Sequence, residues 1–246
     1  MKRKYGFKNS AYNEKLNSIP NNFAVKNEDS SKEAEIIIYG EIGDTWFEDS
    51  TSAIDVDNAL KEIGDKDIIV RLNSPGGSAF DGVSIYNRLK QHKGKVTVYV
   101  DGYACSSASI IAMAGDEVIM GEGSMLMIHE ASTVAWGNKG DFRDTADMLQ
   151  ELESGIIDIY MNKAKVSREE ITDMVNAETW MSSKKAIEVG LADKLISSTV
   201  EDKKEIENLK KTIFNMQKQL ETLTLSTNIV ENNKEETKPK KLRRFL

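Results

Sequence analysis

From Lys95 the chain alternates, with Val96, Val98 and Val100 on one side and Lys95, Thr97 and Tyr99 on the other, which predicts a half-buried strand. Asp101 and Gly102 break that pattern. Small residues from Ala104 to Ser109 then lead into Ile110, Ile111, Ala112, Met113 and Ala114, a buried helix. A short apolar strand is predicted over Asp67–Leu72, ended by Asn73, Ser74, Pro75, Gly76 and Gly77, with a helix from Ser78 to Gln91. Upstream, AEIIIYGEIG from Ala34 reads as a strand and Ser52–Ile63 as an amphipathic helix, with Ile54, Leu60 and Ile63 facing inward. Downstream, Glu117–Met120 and Ser124–His129 are short strands. Asp141 to Lys165 is a long helix carrying Ala146, Leu149, Leu152, Ile156 and Tyr160 at helical spacing. Ser182 or Ser183 can cap a further short helix, Gly190 can end it, and Ala192–Leu195 can start a return strand. Repeated β–α units argue for an α/β fold with a mostly parallel sheet and right-handed crossovers.

The two ends differ in kind from this core. Residues 1–33 are polar, asparagine-rich and weakly periodic, the pattern of a flexible leader. From Ile206, apolar residues fall at Leu209, Ile213, Met216, Leu220 and Leu223 in alternating steps of three and four, an a/d heptad seam. A coiled coil and an amphipathic helix docked on the core both fit so short a seam. Residues 226–237 are polar, and KPKKLRRFL closes the chain with a basic tip and an apolar end. The expected division is a leader over 1–33, a core over 34–198, a helical segment over 199–225 and a disordered tail over 226–246.

Composition narrows the function. A net charge of −7 argues against nucleic acid as the main substrate. Cys105 is the single cysteine and cannot form an internal disulfide, which fits a reducing, cytoplasmic compartment. No apolar run approaches the ~18 residues of a membrane span. The pattern holds no metal-ligand cluster, no phosphate-binding fingerprint and no internal repeat, so neither a metal nor a cofactor is expected.

Candidate chemistry gathers at two strand ends. The turn after the Lys95 strand presents hydroxyls and the N-terminus of a helix, which can offer a serine oxygen or bare N–H groups to a reacting group; a plain serine cap on a core helix is the structural alternative. Pro75 is the only one of three prolines inside the core, and Gly76 and Gly77 beside it permit positive φ and close backbone approach. Such a loop can aim N–H groups at an oxyanion, or simply turn a strand into a helix. Only His92 and His129 are available for histidine chemistry. His92 lies among lysines where a helix runs out, whereas His129 stands at a strand end, where functional side chains collect in open α/β sheets. Glu178 stands beside Trp180, one acid among forty.

Four segments in order, NSPGGSAFDG at Asn73–Gly82, GYACSSAS at Gly102–Ser109, MIHEAS at Met127–Ser132 and ETWMSSKKAIEVGLAD at Glu178–Asp193, resemble the Clp protease family, and most of all the Clp-like prohead proteases of tailed phages. The resemblance covers roughly Ala34 to Ser198. It implies a Clp/crotonase-like fold in which Asp141–Lys165 is a protruding handle helix that joins two rings. Carried over residue by residue, it makes Ser106 the nucleophile, His129 the general base and Glu178 the acid that orients the histidine. The N–H groups of Gly77 and Ser107 become the oxyanion donors, and substrate adds as a strand beside Pro75 and Gly76. Two departures stand out: the family has aspartate at the position of Glu178, and methionine at that of Ser107.

The resemblance implies a serine endopeptidase that needs no cofactor. In the phage relatives it acts on capsid and scaffold proteins inside immature heads, as a homo-oligomeric ring; whether an unfolding ATPase feeds it is left open. An acyl-CoA hydratase or isomerase of the crotonase type, which holds a thioester oxyanion with two N–H groups, is an alternative on the same fold. A catalytically silent assembly scaffold is another.

Overall fold

In the middle of the sheet every second residue is withdrawn from water: Ile36 and Ile38, Val70 and Leu72, Val98 and Val100 are 0% exposed. Each such side chain contributes about 1.5–3 kcal/mol relative to exposure. A computed structural model describes residues 7, 8, 10–43, 50–196, 211, 212 and 216. The chain divides into two units, Met1–Ile196 and Ser197–Leu246. In the first, the described strands are β1 (Asn22–Lys26), β2 (Glu33–Ile42), β3 (Asp67–Gly77), β4 (Val96–Cys105), β5 (Glu117–Met120), β6 (Met125–Ile128), β7 (Thr179–Ser182) and β8 (Lys194–Leu195). The described helices are α1 (Ser10–Asn17), α2 (Ala53–Ile63), α3 (Ala79–Lys90), α4 (Ser107–Ala112), α5 (Lys139–Met161), α6 (Arg168–Asn176) and α7 (Ser183–Val189).

Strands run in the order β1-β2-β3-β4-β5-β8, with β6 paired to both β4 and β7. The pairs β2–β3, β3–β4, β4–β5, β4–β6 and β5–β8 are parallel, and only β1–β2 and β6–β7 are antiparallel. This is the mostly parallel α/β sheet that the β–α alternation predicts. On the face opposite the buried valines, Arg71 pairs with Asp101, and Tyr39 donates its hydroxyl to the same carboxylate at 2.8 Å.

Local signals set the helices. Ser52 caps α2 in a capping box with Asp55, and Ser78 caps α3 by accepting from Asp81 N–H. The buried stripe of α2 is Val56, Ala59, Leu60 and Ile63. Ile54, expected inward, is 71% exposed. It precedes Val56 by two residues, about 200° of helical rotation, and therefore lies across the helix from that stripe.

Two strands run further than their patterns predict. β3 continues past Leu72 through Asn73 to Gly77, with a shift of register between Leu72 and Ser74 against β4. β4 does not stop at Asp101 and Gly102. At that irregularity Asn73 Oδ1 accepts from Tyr103 N–H at 3.0 Å, supplying the bond that the ladder loses. Beyond it β4 exchanges partners, pairing with β5 over Thr97–Val100 and with β6 over Tyr103–Cys105.

The expectation of a flexible leader fails over residues 10–26. β1 adds antiparallel to β2, from Asn22 opposite Tyr39 to Lys26 opposite Glu35, and Phe23 and Val25 pack on the main core. Leu16 in α1 is 1% exposed and joins Phe7, Cys105 and Met127 in a second apolar cluster. Of α5, only Ile156, Ile157, Ile159 and Tyr160 are buried. Ala146, at the expected spacing, is exposed, and Leu149 and Leu152 are half-buried. The heptad seam and the basic tip lie outside the described residues, apart from residues 211, 212 and 216, which are helical.

Candidate active site

Ladder register explains why Ser106 and His129 meet. β4 and β6 are parallel, with Tyr103 opposite Met125, Ala104 opposite Leu126 and Cys105 opposite Met127. Both strands end at the same edge, and Ser106 N–H closes the ladder on Met127 O at 3.0 Å. His129 follows β6 by one residue, and its Nε2 lies 2.8 Å from Ser106 Oγ. β7 runs antiparallel to β6, with Ile128 opposite Thr179, so one further step along the same register sets Glu178 across from His129.

The backbone is strained at two of these three residues. Among the described residues, the non-glycine positions with positive φ are Ser106 (φ 54°) and Glu178 (φ 55°). A side chain in that region costs roughly 1–2 kcal/mol, and such residues cluster at functional sites. Ser106 turns sharply between β4 and α4, with its side chain making no helix-cap bond. Glu178 follows the end of α6, where its N–H bonds to Val175 O at 3.1 Å.

Gly76 lets the end of β3 lie directly on this turn. A Cβ there would fall 2.5 Å from Cys105 O, 2.7 Å from Ser106 Cβ and 3.0 Å from Ser107 N. Pro75 and Gly76 are buried, and the end of β3 is already paired, Gly76 with Glu41 of β2 and Ser74 with Ala104 of β4. The substrate-strand contact expected at Pro75 and Gly76 therefore has no free edge there. Gly77 alone of the three lines the cavity, a space of about 240 Å³ that Ser106, Ser107 and His129 share. Its far wall is apolar, with Ile110 from α4 and Met148, Leu149, Leu152 and Ile156 from α5. Ser107 opens α4, and its hydroxyl is buried with no partner among the described residues. Gly82 of α3 packs against it so closely that a Cβ on the glycine would sit 2.7 Å from Ser107 Cβ.

The surroundings of His129 favour its neutral form. Burial pushes its pKa below the ordinary imidazole value, while the charge of Glu178, and then that of Glu130, works in the opposite direction; Lys8 adds slightly to the lowering. The Glu178 carboxylate does not bond to the imidazole. Its Oε2 accepts from Lys8 N–H at 2.6 Å and its Oε1 from Trp180 Nε1–H at 3.1 Å. Phe7 stands edge-on to His129 at 5.3 Å and to Trp180 at 5.9 Å, and Tyr12 stacks on Trp180 at 4.3 Å. Cys105, next to Ser106, is fully buried, and burial drives its thiol well above the ordinary range, so it cannot serve as a thiolate. His92 bonds instead to Lys66 O at 2.7 Å.

Reasoning from sequence missed Phe7, Lys8 and the buried pair Ser109 and Tyr160 beside the turn. For the last two a signal existed: a serine three residues after Ser106 can reach back to its carbonyl, and Tyr160 lies on the apolar stripe of α5. No group of metal-binding side chains occurs among the described residues, and no described helix is long and apolar enough to cross a membrane.

A serine oxygen raised on a strained turn and bonded to a partly dried histidine is an arrangement for nucleophilic catalysis. The family model described as Clp protease matches residues 24–199, and the chain belongs to that family. The ATP-dependent Clp protease proteolytic subunit of Deinococcus radiodurans is 29% identical over 141 residues, which cover 56% of this chain and 69% of the relative. Subunit 1 of Protochlamydia amoebophila is 31% identical over 137 residues, covering 54% of this chain and 66% of the relative. The chain thus spans about two thirds of the length of these relatives. Among solved structures, a mutant ClpP1 from Listeria monocytogenes matches with a TM-score of 0.59 and 22% identity, covering 67% of this chain and 91% of that one, a likeness of fold. Family and relatives together support a serine peptidase.

Proposed function

We propose that the protein is a serine endopeptidase in which Ser106 attacks the scissile carbonyl. The observation that carries this is the 2.8 Å contact between His129 Nε2 and Ser106 Oγ. His129 takes the Ser106 proton as the Oγ–C bond forms, then returns it to the leaving amine as the peptide bond breaks; water repeats the cycle on the acyl-enzyme. The N–H groups of Gly77 and Ser107 stabilise the oxyanion, and the charge of Glu178 favours the transient imidazolium. The apolar wall from α4 and α5 selects an apolar side chain next to the scissile bond.

The sequence resemblance to phage prohead proteases supports capsid and scaffold proteins as substrates, met in the bacterial cytoplasm and inside immature heads. It also supports assembly into a ring, or two rings joined through α5. The crotonase-type reading is not favoured, because thioester chemistry on two N–H groups has no use for a serine bonded to a histidine. A fluorophosphonate should label Ser106. Ser106→Ala should abolish that labelling while Cys105→Ala leaves it intact; labelling that survives Ser106→Ala would end this reading.

A further inference from the structure

Ser109 and Tyr160 are both buried, at 0% and 2% exposure, and the mechanism above uses neither. Ser109 Oγ lies 2.6 Å from the carbonyl oxygen of Ser106, which also accepts from Ser109 N–H at 2.9 Å. A carbonyl can only accept, so the single hydroxyl proton of Ser109 is committed to it. Tyr160 OH, 2.7 Å from Ser109 Oγ, must then be the donor in that contact. The order is Tyr160 O–H to Ser109 Oγ, and Ser109 O–H to Ser106 C=O.

That carbonyl shares a planar trans peptide with Ser107 N–H, so oxygen and hydrogen point in opposite directions. Whatever holds the oxygen inward holds the N–H outward. Ser107 is the first residue of α4, where the N–H has no partner within the helix. Ser106 sits at φ 54° and ψ −127°, a conformation an L-residue leaves unless its surroundings hold it. We infer that Ser109 and Tyr160 are positioning residues that lock the Ser106–Ser107 peptide and so aim the Ser107 N–H at the developing oxyanion. The inference rests on the serine peptidase reading and adds to it a link from α5 to the oxyanion donor.

The double variant Ser109→Ala with Tyr160→Phe removes both hydroxyls together and leaves no orphaned polar group, so the fold should be retained. Tyr160→Phe alone is the milder companion, since Ser109 can still donate to Ser106. Four quantities are measured: kcat and KM on a peptide with an apolar side chain at the scissile bond, the affinity of the matching peptide boronate, and the affinity of the cleaved product. The double variant should lose about 10-fold to 100-fold in kcat and a comparable factor in boronate affinity, as expected of a misaimed donor. KM and product affinity should hold, and Tyr160→Phe should show the same split at smaller size. A merely structural pair would move KM and product affinity with kcat, or move nothing, and either result overturns the inference. If the parent protein itself fails to label at Ser106, the peptidase reading falls first and takes the inference with it. Normal labelling of the parent with unchanged boronate affinity in the variants sinks the inference alone.

Discussion

The two sides of the cleft are held by different means. Ser106 and His129 are set by ladder register within one sheet, with three consecutive β4–β6 pairs and the Ser106 N–H bond to Met127 delivering both side chains to one edge. Glu178 is set across from His129 by the same kind of register, yet its carboxylate is committed elsewhere, to the backbone of Lys8 and to the Trp180 indole. The meeting of Ser106 and His129 is thus a property of the core fold. Glu178 is held by an N-terminal segment that reaches it across 170 residues of sequence, and its charge bears on His129 by raising the imidazole pKa.

The sharpest way to break the first side is Gly76→Ala. The added methyl meets Cys105 O, Ser106 Cβ and Ser107 N together, at a φ of 91° that already disfavours a side chain. The Ser106 side chain and the Ser107 N–H should both shift, and the fluorophosphonate labelling rate should fall by about 10³-fold. Gly64→Ala is the matched control, with φ 72° and open space around it. It carries the φ strain without the clash, so it should lower the melting temperature by less than Gly76→Ala and leave labelling unchanged. Equal labelling in the two variants would mean that close approach at Gly76 does not shape the turn.

The same contrast separates what could be read from the sequence from what could not. The strand end at His129 and the helix that follows Ser106 were legible because a short apolar run and a small-residue turn into apolar residues are local patterns. The run of β4 past Asp101 and Gly102 was not, because the bond that carries it comes from Asn73, on another strand. Phe7 and Leu16 lie in a polar stretch with no repeating apolar period, and their burial is decided by Cys105 and Met127 far along the chain. Ile54 misled for the opposite reason: it is apolar, but the stripe it seemed to join lies on the other side of α2. The hydroxyl chain through Ser109 and Tyr160 joins positions 51 apart, beyond the reach of any local pattern.

Glu178→Gln tests the second side. An acid that grips the imidazole is worth about 10⁴-fold when neutralised; a carboxylate acting through charge alone should cost less, about 10²-fold in kcat. The pH profile carries the sign. The Glu178 charge raises the His129 pKa against the effect of burial, so removing it lets His129 lose its proton at still lower pH. The acid limb of kcat/KM should therefore move down. An acid limb that stays in place would show that the Glu178 charge does not reach the histidine.

The smallest effect, and the one that tells charge from burial, is expected at Phe7. Its ring edge lies against His129 and Trp180, and its removal admits water to the imidazole. Burial is the largest cause that lowers the His129 pKa. Relieving it should raise that pKa toward the ordinary value, so Phe7→Ala should move the acid limb up, opposite to Glu178→Gln. Above the limb, where His129 is neutral in both forms, kcat should stay within about threefold, since proton transfer to His129 keeps its geometry. Phe7→Leu, which keeps most of the apolar cover, should give a smaller shift in the same direction. The groups that also bear on His129 are Glu178, Glu130 and Lys8, and all three keep their charges in these variants. Two limbs moving in opposite directions would assign the acid side to two separable causes: a carboxylate that favours the imidazolium and an N-terminal aromatic that keeps it dry. Limbs that move together would mean that Phe7, packed on Trp180, holds the Glu178 carboxylate near His129, so that the segment tunes the histidine through the acid alone.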